Sequence, residues 1–239
     1  TISTRLSDIR STNSGNTGIA TGGEALNKAV WGQIFGSTAT QGYRAGVAGY
    51  DSDVWGMALG IDKDLFKDTN IGVSFSYAKT NVDSLKGQTD VDSYQGTVYG
   101  SYDRSKWYAE AMAGVGVNSY DNKRNITLGS LANVASADYD GMQYTAKVGG
   151  GYKLPPVNDF NITPMASLQY TLLHQDNYTE TGSTSNLVVN DNDTNTLQSG
   201  LGAKVSRAFN IGSYTISPEV RAMWLYDFVA KEQATSSSL

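Results

Sequence analysis

Residues 53–62 read "DVWGMALGID". Every second residue is bulky and apolar: Trp55, Met57, Leu59 and Ile61. Between them stand Gly56, Ala58 and Gly60. A period of two is the signature of a β-strand. In a half-buried strand of a soluble sheet the second face meets water and is polar and well filled. Glycine inside a strand costs stability and marks a close approach of other groups. This strand is large and greasy on one face and nearly bare on the other, so the question is what occupies each side.

The same alternation recurs along the chain. It predicts nine strands, at 29–37, 53–62, 70–80, 92–102, 106–118, 141–153, 162–173, 196–207 and 214–227. In "NIGVSFSYA", Ile71, Val73, Phe75 and Tyr77 alternate with Gly72, Ser74 and Ser76. In "MQYTAKVGGGY", Tyr144, Ala146 and Val148 alternate with Gln143, Thr145, Lys147 and Gly149. In "ISPEVRAMWLYDF", Val220, Ala222, Trp224 and Tyr226 oppose Glu219 and Arg221.

Two architectures fit this pattern. In a soluble sandwich or barrel the apolar face is the core. In a transmembrane antiparallel up-and-down β-barrel it meets lipid, and the polar face lines a lumen. Three features favour the membrane barrel. The connections 38–52, 81–91, 119–140 and 174–195 are long, and they alternate with shorter ones at 63–69, 103–105, 154–161 and 208–213, as long external loops alternate with short periplasmic turns. Trp31, Trp55, Trp107, Trp224 and Tyr226 stand near strand ends, where an interfacial aromatic girdle belongs. Most strands reach the nine to eleven residues that span a bilayer at a tilt, whereas strands of globular proteins centre on about five or six.

Composition agrees. Charged residues are 17% of the 239, below a usual level of about 25%. No run of 18 apolar residues occurs, which excludes a spanning helix and leaves a barrel untouched. Cysteine is absent, so disulfides, thiolate metal sites and cysteine nucleophiles are excluded. A net charge of −5 without a basic cluster argues against nucleic acid. No cofactor or metal signature appears. No secretory leader opens the chain, so export implies a longer precursor.

Residues 1–13, "TISTRLSDIRSTN", carry the one helical period: Ile2, Leu6 and Ile9 form a stripe. Such a short helix is marginal alone in water and needs a wall to lean on. Residues 1–27 are therefore read as a lumenal helix with a Gly-rich linker, and 28–239 as the barrel. The faces assigned to the lumen carry Glu110, Lys147, Lys204, Glu219 and Arg221. Arg5 and Arg10 of the helix are expected to pair with Glu110 or Glu219, and Asp8 with Lys147, Lys204 or Arg221. The alternative is that these charges solvate a water-filled pore.

The stretches "RLSDIR", "VWGQIFG", "AGYDSDVWGMALGID" and "IGVSFSYAKTN" resemble the translocator β-domain of bacterial autotransporters (type V secretion). "ITPMASLQYTLLHQDNYTETG", "GLGAKVS" and "ISPEVRAMWLYDF" are most similar to the rickettsial surface-antigen autotransporters. The resemblance implies a 12-stranded, monomeric barrel in the bacterial outer membrane with a helix inside it. It also implies a preceding passenger, an adhesin or invasin, delivered to the cell surface, and assembly by the barrel-assembly machinery. The family ends on a terminal aromatic, whereas this chain ends "AKEQATSSSL". Barrels of this class have even strand numbers, so three further strands, roughly 60 residues, are expected beyond Leu239.

Two competing functions remain: a passenger-free pore or surface barrel, and an outer-membrane hydrolase using His174, the single histidine, with Asp176 nearby. The pairs Asp51/Asp53, Asp90/Asp92, Asp138/Asp140 and Asp191/Asp193 are read as turn-forming residues of outer loops. No catalytic residue is assigned.

Overall fold

The computed structural model describes residues 28–43, 49–128, 131–211, 214–216, 218–229 and 237–238. The chain runs β1 (Lys28–Gln41), β2 (Tyr50–Phe66), β3 (Thr69–Ser84), β4 (Gly87–Asp103), β5 (Trp107–Leu128), β6 (Leu131–Tyr152) and β7 (Phe160–Gln175). The short β8 (Tyr178–Thr179) and β9 (Val188–Val189) precede β10 (Asn192–Arg207). Then come β11 (Phe209–Ile211), β12 (Tyr214–Ile216), β13 (Glu219–Asp227) and β14 (Ser237–Ser238). The helix expected in residues 1–13, with Arg5, Asp8 and Arg10, lies outside the described residues.

Nine strands form one curled sheet in the order β1-β2-β3-β4-β5-β6-β7-β10-β13. Each pairs antiparallel with the next, so the sheet is the up-and-down wall of a transmembrane β-barrel. All nine strands predicted from the alternation are present. The last begins later than expected. Residues 214–216 pair with 209–211 in a separate hairpin, and β13 starts after Pro218, which has no N–H to give to a ladder.

Two of the four long connections are not loops for most of their length. The segments 81–91 and 119–140 are strand almost throughout: β3 and β4 continue to Ser84 and from Gly87, and β5 and β6 have 22 residues each. At about 3.3 Å per residue, 22 residues make a strand of about 70 Å, well beyond a hydrocarbon core of about 30 Å. Past that core both faces meet water, and Asp, Asn and Ser replace the apolar residues. The composition therefore reads as loop while the backbone stays extended. Asp90, Asp92, Asp138 and Asp140, expected in loops, stand in strands for this reason.

The polarity of the wall is inverted. Trp55, Met57, Leu59 and Ile61 are 49, 46, 59 and 50% exposed. Ala58 between them is 1% exposed and Asp62 4%. The neighbouring strands repeat this: Ile71, Val73, Phe75, Val98, Val115 and Val148 are exposed, while Asn70, Thr97, Ser101, Asn118 and Thr145 are buried. An apolar belt faces lipid, and the small polar face is the inner one.

Candidate functional site

The inner wall is organised around two rings and two glycines. On β1 the Trp31 side chain lies over Gly60, its partner on β2. On β4 the Tyr99 ring lies over Gly72, its partner on β3. A Cβ at Gly60 would stand 2.6 Å from the indole, and one at Gly72 2.4 Å from the phenol ring. No side chain fits there, which is why these positions are bare. The indole Nε1 donates to the Tyr99 hydroxyl at 2.6 Å, and that hydroxyl donates to Asp62 Oδ2 at 3.0 Å. The rings meet edge to face, with centroids 6.3 Å apart. Phe35 and Met112 pack against them.

Strand register places the five charges expected in the lumen on this same face. Glu110 lies opposite Gly149, Lys147 opposite Met112, and Lys204 opposite Arg221. Lys204 contacts Glu219 at 3.0 Å, and Arg221 contacts the other oxygen of the same carboxylate at 3.7 Å. Trp55, Trp107, Trp224 and Tyr226 are exposed on the outward face. Trp31 differs from its expected place in the girdle: it is 6% exposed and turned inward. In "AVWGQIFG" both phases carry large apolar residues, Val30 and Ile34 against Trp31 and Phe35, so alternation does not assign the face. Val30 and Ile34 take the outward side.

The long-hairpin end closes around a second cluster that the sequence reading missed. Tyr120 on β5 and Tyr139 on β6 are cross-strand partners with rings stacked at 4.7 Å. Tyr178 of β8 stacks on Tyr139 at 4.2 Å. Burial among these rings pushes the Tyr139 hydroxyl well above its usual pKa. Segment 178–181 runs beside β6, where Ser136 and Thr181 exchange backbone hydrogen bonds of 2.9 and 2.8 Å. Arg124 of β5 grips it: Nε and Nη2 donate to the two oxygens of Glu180 at 2.8 and 2.5 Å, and Nη2 also donates to the Ser185 carbonyl at 2.9 Å. The Leu187 N–H completes the carboxylate at 2.9 Å. Glu180 is 2% exposed, and the guanidinium holds its carboxyl below the ordinary carboxylate range. No spacing rule links positions 124 and 180, so only the fold reveals the pair.

His174 has a carboxylate on each ring nitrogen: Nδ1 to Asp193 at 2.6 Å and Nε2 to Asp176 at 3.5 Å. The hydrogen bond to Asp193 raises its pKa. Both nitrogens are occupied by acids rather than by a hydroxyl, so this is an ion-pair cluster and not a nucleophile–base arrangement. The pairs Asp90/Asp92 and Asp138/Asp140 stand in the outward phase of β4 and β6. Asp90, Asp121 and Asp138 are directly opposed across β4, β5 and β6. Lys123 contacts Asp121 at 3.4 Å, and Lys79 contacts Asp92 at 3.8 Å, relieving a like-charge arrangement that costs stability. Among the described residues no group of three or more acidic or histidine side chains has metal-site geometry.

Comparison with known proteins follows the same lines. The family profile of the autotransporter β-domain matches residues 30–239. Outer membrane protein A of Rickettsia rickettsii is 29% identical over 252 residues, covering 100% of this chain and 11% of that protein. Outer membrane protein B of Rickettsia japonica is 28% identical over 236 residues, covering 92% of this chain and 14% of that protein. The chain thus spans 11 to 14% of these relatives' length. The translocator domain of the autotransporter NalP from Neisseria meningitidis superposes with a TM-score of 0.75 at 18% identity, over 98% of this chain and 78% of that one.

Proposed function

The chain belongs to the autotransporter β-domain family, and from that premise we propose that it anchors and translocates an N-terminal passenger, delivering it to the cell surface. The barrel resides in the outer membrane, and the family's domain is a transporter and anchor rather than a catalyst. The observation that carries the proposal is the inverted wall. Leu59 is 59% exposed on the lipid side and Ala58 is 1% exposed on the other, so the apolar belt faces outward and the polar face is the enclosed one.

The finer reading follows from the charges. Glu110, Lys147, Lys204, Glu219 and Arg221 share the inner face. A lumenal helix spanning residues 1–13 offers Arg5 and Arg10 to the acids and Asp8 to the bases. Such pairing would add to the ion pairs that Lys204 and Arg221 already make with Glu219. The passenger is an adhesin or invasin, as the resemblance to the rickettsial surface-antigen autotransporters implies. The barrel is a monomer, inserted by the barrel-assembly machinery.

The test uses the full precursor in a Gram-negative host. Protease added to intact cells is expected to digest the passenger, and deleting residues 28–229 is expected to abolish that digestion. A passenger that reaches the surface equally well without the barrel, or stays periplasmic with it, overturns the proposal.

A further inference from the structure

We propose that two arginine–aromatic clusters at the short-turn end of the barrel bind the headgroups of anionic phospholipids in the periplasmic leaflet. The first stands at the β4–β5 turn. The Arg104 guanidinium lies 5.2 Å from the Tyr102 ring centroid, and its Nε donates to the Tyr102 hydroxyl at 2.5 Å. Trp107 packs against that ring, with centroids 5.4 Å apart. The second stands where β7 and β10 meet. Arg207 lies 5.0 Å from the Phe160 centroid and 5.1 Å from that of Phe209.

Position assigns the ligand. Phe160 and Arg207 are cross-strand partners, and Arg207 is in phase with Val205 and Leu201 on the lipid face. Tyr102 is in phase with Val98, and Trp107 is itself 44% exposed. Both guanidiniums therefore stand at the edge of the apolar belt, on the end whose short turns face the periplasm. A guanidinium resting on a ring face is held flat, with its stem against apolar surface and its remaining N–H donors pointing sideways. That fork matches phosphate oxygens.

The nearby carboxylates do not use up these donors. Asp68 is 3.8 Å from Arg104, whose side chain is 57% exposed. Asp159 is 3.3 Å from Arg207 and is itself 81% exposed. Lys63, exposed on the outward face of β2, adds a third cation at this end. Toward the opposite end the outward phase carries Asp53, Asp92 and Asp140, with Lys79 offsetting Asp92. The cations at the short-turn end draw an anionic headgroup to that leaflet.

The test is native mass spectrometry of the folded protein released from phosphatidylcholine nanodiscs holding a minority of phosphatidylglycerol. Two phosphatidylglycerol molecules are expected to be retained. R104Q and R207Q are each expected to lower retention at one site at least threefold, and R104K/R207K, which keeps charge but loses the planar fork, to lie between. Equal retention of both lipids, or unchanged phosphatidylglycerol on R104Q/R207Q, overturns the proposal. So does displacement of the lipid by millimolar inorganic phosphate. Should the glutamine pair fail to fold, unchanged retention on the lysine pair overturns it equally.

Discussion

The indole of Trp31 hydrogen-bonds the hydroxyl of Tyr99 at 2.6 Å although 68 residues and two intervening strands separate them. The bond exists because Gly60 and Gly72 leave the strands between without side chains on that face. The rings lie across the wall and tie β1 to β4 independently of the backbone ladder. Filling either gap forces a ring away. G60A and G72A are each expected to lower stability by about 1–3 kcal/mol through overpacking. Urea unfolding in detergent, followed by tryptophan emission, measures it. Unchanged midpoints for both variants would show that the rings move at no cost.

That relationship marks where sequence reading stops. All nine strands and the inverted polarity were legible, because a period of two with glycine on the second phase has few physical meanings. The same phase argument puts Glu110, Lys147, Lys204, Glu219 and Arg221 in one register phase. The face of Trp31 was not legible, since Phe35 and Ile34 make both faces of β1 apolar. The reach of β5 and β6 was not, since the polar residues 119–125 read as loop once both faces meet water. The Arg124–Glu180 and Tyr120–Tyr139–Tyr178 contacts join segments whose proximity depends on how far those strands rise.

The grip of Arg124 on Glu180 holds segment 178–187 to the tall β5–β6 hairpin. Replacing a buried acceptor of three hydrogen bonds leaves donors unsatisfied, at about 1–3 kcal/mol. E180Q is expected to free the segment without unfolding the barrel. Limited proteolysis of folded protein should then cut between β7 and β10 many times faster, while heat-modifiable migration stays unchanged. Equal cutting rates in parent and variant would remove the ion pair from any role in holding the segment.

Acid should act on the same contact. The Glu180 carboxyl titrates lower when folded than when free, chiefly because of Arg124. A depressed carboxylate pKa contributes stability above the unfolded value of about 4.3, and that contribution is lost as pH falls through the folded value. Hydrogen exchange at the Glu180, Thr181 and Leu187 amides, corrected for intrinsic rates, is expected to keep its protection from neutral pH down to the unfolded value of about 4.3 and to lose it progressively at lower pH. E180Q should show no such step, because its amide does not titrate. A step of equal size in E180Q would assign the acid transition to other carboxylates.

The lipid-facing assignment has its own test at Leu59, flanked along β2 by exposed Met57 and Ile61 and opposed on β3 by exposed Phe75. A cation at the middle of the belt has no water and no partner there. L59R is expected to cost about 2–4 kcal/mol in lipid vesicles. The control is Asp53, which shares the outward phase of β2 but stands beyond the belt. D53R adds the same side chain in water and is expected to change stability by no more than about 1 kcal/mol. Reversible unfolding from vesicles of matched thickness measures both. Strand, face and introduced group are the same at the two positions, and depth is the chief difference between them. Equal costs at the two positions would mean that Leu59 does not meet hydrocarbon, and the inner face would then have to be sought on the side of Trp55.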